Sequence, residues 1–189
     1  MNFGSKEIQQ LYIAYFARPA DPSGINYWLT NSPKGTKIGD ISKSLYSQPE
    51  YKESIIMQKP LDFQVNQFYI NLFSRKADFE GINYCLYLIE NESLSISDFV
   101  CNLISSIVTG VSTGSEQLKI DFQTLENKVH AAELFTKEVG SSISWINLYQ
   151  PESIDPWIKG KALNSGVTFL SEYDCHKELS LNHVNKTLN

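Results

Sequence analysis

Four charged residues recur at one spacing in this 189-residue sequence: Arg18 with Asp21, and Arg75 with Asp78, the second pair 57 positions after the first. A guanidinium and a carboxylate three residues apart suit a ligand site, and carboxylates also suit a metal. A purely structural role is the simpler reading. Asp is a strong helix N-cap, and Arg can bond the last carbonyls of a preceding helix or pair with the Asp. Capping alone accounts for Asp at this position, so Arg18, Asp21, Arg75 and Asp78 are expected to build two corners. Asn26 and Asn83, one turn further on, are placed to reach back to those corners or to face solvent.

The elements that position them are also repeated. Residues 10–29 read QLYIAYFARPADPSGINYWL and residues 67–86 read QFYINLFSRKADFEGINYCL. Twelve positions carry the same residue type with no register shift, which marks a duplicated unit. Ile8, Leu11, Tyr12, Tyr15 and Phe16 follow helical spacing, and Val65, Phe68, Tyr69, Leu72 and Phe73 repeat it. Asp21-Pro22 and Asp78 then open a second helix in each copy. Gly24 and Gly81 stand early in those helices, where Gly is costly unless two helices pack closely. A third helix follows in each copy, with Ile41 and Leu45 inward in one, and Phe99, Leu103 and Ile107 in the other. Gln48-Pro49 breaks the first of these, and a short helix restarts there carrying Tyr51. Ser95-x-x-Asp98 resembles a capping box.

Beyond a Gly/Ser/Thr linker at 111–115, the pattern from Leu118 to Phe135 predicts the longest helix, lying across both repeats. A short aromatic segment holds Trp145 and Tyr149. Asp155-Pro156 repeats the cap-and-proline start, predicting a helix through Trp157 and Leu163 that ends at Gly166. Thr168 then caps a last helix, and residues 176–189 fray. Strand candidates are confined to 143–148 and 165–170. The fold class expected is all-α, one domain over 1–189: repeat 1 at 7–57, repeat 2 at 64–110, and a helical C-terminal region at 115–180.

Composition bounds function. Hydrophobic content is 42%, aromatic content 12% and net charge −5, with pI about 5.2. An acidic chain without a basic stripe argues against nucleic acid as a partner. No stretch approaches the ~20 apolar residues of a membrane span, and the N-terminus lacks a secretory signal pattern. Cys85, Cys101 and Cys175 are odd in number and show no CxxC spacing, which argues against a disulfide framework or zinc site. Cys85, at the position of Trp28, reads as a small buried side chain. Asn91-Glu92-Ser93 and Asn185-Lys186-Thr187 match the glycosylation tripeptide, a pattern short enough to arise by chance. No nucleophile motif, phosphate loop or His-centred constellation is present, so the chain is expected not to be an enzyme.

The duplicated residues resemble a bacterial family with the pattern V-x-x-L-Y-x-x-x-F-G-R-x-P-D-x-x-G-x-x-Y-W, matched by Ile8, Leu11, Tyr12, Phe16, Arg18, Asp21, Gly24, Tyr27 and Trp28. The second copy matches with Val65, Phe68, Tyr69, Phe73, Arg75, Asp78, Gly81 and Tyr84. This domain of unknown function occurs in surface-layer and other large secreted proteins, often with calcium-binding RTX repeats downstream. The resemblance covers roughly residues 7–140. Ala17 and Ser74 replace the family's Gly before Arg, which puts in doubt a positive-φ turn there.

The resemblance implies an N-terminal anchoring module of a longer, type I-secreted protein. Its partners would be lipopolysaccharide O-polysaccharide and neighbouring copies in a lattice at the cell surface. Sugar recognition asks for aromatic faces with carboxylates or amides beside them. The candidates are Tyr27, Trp28, Tyr51, Trp145, Tyr149 and Trp157, with core packing the alternative for each. No cofactor is required; calcium is possible, since it accepts oxygen ligands of mixed source, although no EF-hand loop is present. A competing expectation is a helical protein–protein interaction module in an intracellular assembly, comparable to phycobilisome linkers, which tend to be basic where this chain is acidic.

Overall fold

The computed structural model describes residues 3–112, 114–177 and 187, and among these helix predominates with almost no strand. Most of the expected frayed end, and Asn185 of the second tripeptide, lie outside them. The element at the centre is α1, Ser5–Phe16. Its spacing predicts a one-sided apolar stripe, yet every residue from Ile8 to Phe16 is buried. Gln9 is accommodated there by bonding: its amide donates to Thr136 Oγ1 at 2.8 Å, and its oxygen accepts from the Ala20 N–H at 2.9 Å. A buried amide with both ends satisfied carries little penalty.

Around α1 pack α3 (Ile38–Tyr46), α5 (Leu61–Phe73) and α8 (Glu116–Gly140). The 25-residue α8 touches α1 and α2 (Pro22–Asn26) as well as α5 and α7 (Ile96–Gly110), so it lies across both halves of the duplicated region. Helix α4, Pro49–Lys52, follows the break at Gln48-Pro49, and α6 covers Phe79–Glu90. The core runs continuously from Ile8, Tyr15 and Phe68 through Phe99 to Phe135 and Phe169. Cys85 is buried as expected, and none of the three cysteines is paired.

The corners are turned alike. α1 ends at Ala17, φ 56°, whose N–H bonds the Ile13 carbonyl at 3.0 Å. α5 ends at Ser74, φ 58°, whose N–H bonds Ile70 at 3.0 Å. The left-handed turn is therefore kept without glycine, against the sequence expectation. A C-terminal backbone bond and a packed corner outweigh the ~1–2 kcal/mol cost of that conformation. Asp21 and Asp78 cap as expected, each accepting at 2.7 Å from the N–H three residues on, at Gly24 and Gly81. Gly24 lies under the Tyr12 ring, where a Cβ would collide with the hydroxyl, so close helix packing explains it; at Gly81 the obstacle is the Asp78 carboxylate itself.

The C-terminal region departs from expectation. Asp155-Pro156 does not open a helix. It is a cis peptide at the tip of a two-residue antiparallel hairpin, β1 Ser153–Ile154 with β2 Trp157–Ile158. α10 begins only at Gly160 and runs unbroken to Ser171 through both Gly166 and Thr168. Gly166 is not a stop signal: a Cβ there would sit 2.5 Å from the Tyr149 hydroxyl and 3.1 Å from Pro19 Cδ. Both strand candidates are helical; Ile143–Leu148 is α9, and 165–170 lies within α10. Among the described residues no helix is long and apolar enough to cross a membrane.

Candidate functional site

The corner after α1 borders a cleft of about 650 Å³, within the range of small-molecule sites, about 300–1,000 Å³. Its buried lining comes from Tyr12, Phe16, Arg18, Leu45 and Glu50. Its more exposed lining comes from Tyr27, Trp28, Asp21, Asn26 and Gln48, with Trp157 supplied by the distant hairpin. Helix α2 passes directly into a π turn at Tyr27–Asn31. The Thr30 and Ser32 hydroxyls bond back to the Asn26 and Trp28 carbonyls there. Single π turns recur at functional sites. The matching stretch of the second copy is regular α-helix.

Arg18 is fixed in the buried lining. Its Nε and one terminal nitrogen donate to the two Glu50 oxygens at 2.8 and 2.7 Å, and the other terminal nitrogen donates to the Pro19 carbonyl at 2.9 Å. The aromatic rings of Tyr12, Phe16 and Tyr149 surround the guanidinium at 5.3–5.7 Å. Burial disfavours the charge, and the Glu50 carboxylate more than restores it, so Arg18 is held protonated well above its ordinary range. Asp21 stands 3.7 Å from Arg18, and Lys159 stands 3.8 Å from Glu50. Burial pushes the Lys159 ammonium down, against the pull of Glu50. Two cations and two carboxylates thus balance. Burial, reinforced by Asp21, drives the Tyr12 hydroxyl upward, so it stays protonated.

At the second corner Arg75 makes the same bidentate contact with a different partner, Asp121 of α8, at 2.7 and 2.6 Å. It also donates to the Lys76 carbonyl at 2.9 Å, as Arg18 does to Pro19. Neither arginine acts mainly on the neighbouring Asp or on the last carbonyls of the preceding helix, the two structural alternatives the sequence left open. The 57-residue offset from Glu50 falls on Ile107, so the duplication holds no clue to Asp121. Glu50 and Asp121 are the residues that sequence reasoning missed. The one available signal was indirect: with Asp21 and Asp78 committed as helix caps, an arginine buried at the corner needs a carboxylate from elsewhere in the chain.

Of the six aromatic candidates, three come together. Tyr27 is 49% exposed, Trp28 and Trp157 are half-buried, and all three line the cleft. Tyr51 and Tyr149 are 1% and 3% exposed. Tyr51 packs on Tyr15 and Phe68, and Tyr149 packs on Phe135 while donating to the Pro19 carbonyl at 3.0 Å. They are core residues, with no face left for a ligand. Trp145 lines a separate small groove with Phe135 and Ala162. Asn26 is at the cleft and Asn83 is solvent-exposed. Among the described residues no three His, Cys, Asp or Glu side chains gather as a metal ligand set. No family model matches the chain, and neither a curated protein nor a solved structure does.

Proposed function

We propose that this chain is a non-enzymatic cell-surface module whose cleft binds a glycan, holding a larger secreted protein to lipopolysaccharide O-polysaccharide. One observation carries the reading: Tyr27, Trp28 and Trp157 line one cleft together with Asp21, Asn26 and Gln48. Aromatic rings offer apolar faces to a sugar ring, and the polar groups offer partners to its hydroxyls. The resemblance to secreted surface-layer proteins supports the same reading, since Asp21, Gly24, Tyr27 and Trp28 of its signature lie in this wall. Calcium would act on the lattice and the lipopolysaccharide rather than in the cleft.

The test is binding of the purified protein to lipopolysaccharide, with and without a chelator and with the O-polysaccharide removed. Loss on removing the sugar, with little chelator effect, is the expected result. Complete loss with chelator alone would favour calcium bridging, and no binding under any condition would overturn the anchoring role.

A second reading, a helical protein–protein interaction module, has one specific observation in its favour. Helix α6 exposes Phe79 (80%), Tyr84 (64%) and Tyr87 (52%), and exposed apolar clusters mark interaction surfaces. Neighbouring copies in a lattice would use the same face. Sedimentation of the wild type against a Phe79→Ser/Tyr87→Ser variant separates self-association through α6 from glycan binding.

A further inference from the structure

A side chain lining the proposed glycan cleft carries a hydrogen-bond donor that the fold leaves unused. Trp157 lines it from the hairpin, held there by its backbone N–H, which donates to Glu53 Oε2 at 3.0 Å. Its indole nitrogen is buried and has no acceptor among the described residues. A buried N–H without a partner costs on the order of 1–3 kcal/mol, so native folds rarely leave one unless something else satisfies it. Trp157 is half-buried overall, so part of its ring remains accessible.

The charged groups of the cleft point to the kind of ligand. Arg18, the cation best suited to grip a carboxylate or phosphate, spends Nε and both terminal nitrogens on Glu50 and Pro19. Lys159 faces Glu50 and donates to the Phe16 carbonyl at 3.3 Å. Asp21 stays near the surface, where it would repel an anion. An anionic ligand would therefore meet no cation here that lacks a carboxylate neighbour. An uncharged ligand bearing ether or hydroxyl oxygens does not compete with those carboxylates.

We propose that the cleft selects an uncharged pyranoside, and that the Trp157 indole N–H donates to one of its oxygens as the specificity-determining contact. This rests on the glycan reading above. A neutral donor–acceptor bond of about 1 kcal/mol corresponds to roughly a fivefold change in affinity. The orphaned donor also makes an unusual prediction: Trp157→Phe removes a buried unsatisfied group, so it should weaken binding without destabilising the free protein.

The experiment uses the full chain labelled with nitrogen-15 at tryptophan, whose three indole signals are assigned by single Trp→Phe substitutions. Methyl pyranosides, glucuronate, inorganic phosphate and purified O-polysaccharide are titrated separately into the millimolar range. The expected result is a shift of the Trp157 indole signal with methyl pyranosides or the O-polysaccharide and none with glucuronate or phosphate. Trp157→Phe should bind about fivefold more weakly with unchanged thermal midpoint. Binding of a neutral glycan with the Trp157 signal unmoved, or with equal affinity in Trp157→Phe, overturns this inference and leaves the glycan reading standing. A preference for glucuronate or phosphate also overturns it. Failure of every sugar to bind overturns the glycan reading itself.

Discussion

The Asn71 side chain donates to the carbonyl of Ala14 at 2.8 Å, and the two residues are 57 positions apart, the offset of the duplication. Helices α1 and α5 therefore meet at corresponding positions of the two copies. The contact has a physical purpose, since the last four carbonyls of a helix have no intrahelical donor and Ala14 is in the last turn of α1. Lys128 of α8 performs the same service for α5, donating to the Asn71 carbonyl at 2.6 Å. Replacing Asn71 with Leu leaves the Ala14 carbonyl buried without that donor. The expected loss is about 1–3 kcal/mol, read as a shift in the denaturant midpoint at constant slope.

Among the described residues no carboxylate lies within salt-bridge distance of the buried Lys128, and its ammonium is pushed down from 10.5 to about 8 by burial, opposed by Asp174. Between those two values the unfolded chain binds more protons than the folded one, so stability rises with pH in that window. The limiting slope from one such group is about 1.4 kcal/mol per pH unit. Burial raises the Cys85 and Cys101 thiols above 9, which contributes the opposite slope at higher pH. The clean comparison is therefore between pH 8 and 9. Lys128→Met should reduce the rise in unfolding free energy there, with Lys159, also pushed down by burial, keeping a residual slope of the same sign; an unchanged slope in the variant would disprove the assignment.

The two arginine pairs should differ in consequence. Arg18 and Glu50 are both about 5% exposed at the side chain, whereas Arg75 is 27% exposed and Asp121 2%. Truncating one member of a buried pair strands the other charge at a cost of about 3–5 kcal/mol. Glu50→Ala should therefore be the more damaging change, and Arg75→Ala milder, because Gln117 still donates to the stranded Asp121 at 2.9 Å. Adding Arg18→Met to Glu50→Ala should recover part of the loss. Thermal denaturation of the four proteins decides this, and equal losses for the two pairs would contradict it.

Ala17 at φ 56° invites the opposite kind of change. Ala17→Gly relieves the left-handed penalty at a position with no side-chain bond and should stabilise by about 1 kcal/mol. Ser74→Gly should gain less, because the Ser74 hydroxyl donates to the Tyr173 carbonyl at 3.0 Å. A destabilised Ala17→Gly would mean that the methyl group's packing outweighs the backbone relief.

The caps separate structure from binding. Asp21→Ala and Asp78→Ala should each cost about 1 kcal/mol in stability. Only Asp21 lines the cleft, so only its loss should also weaken glycan binding measured by titration.

Interactions that close within three or four residues were legible in the sequence. Asp21 and Asp78 reach N–H groups three residues on, so their roles follow from local geometry alone. The apolar spacing of α1, α5, α7 and α8 likewise located those helices, because burying one face demands that period. What the tertiary structure decided was everything that depends on distant chain. Arg18 finds Glu50 at a separation of 32 residues, and Arg75 finds Asp121 at 46. Tyr51 and Tyr149 have the same composition as a stacking platform, and only packing made them core. Trp157 was expected on a helix, since Asp-Pro reads locally as a helix start. The hairpin pairing Ile154 with Trp157 overrode that signal and carried the ring to a cleft whose other tryptophan lies 129 residues earlier. Local propensity is worth about 1 kcal/mol per residue, and burial of large side chains against remote partners is worth more, so the remote contacts prevail where the two conflict.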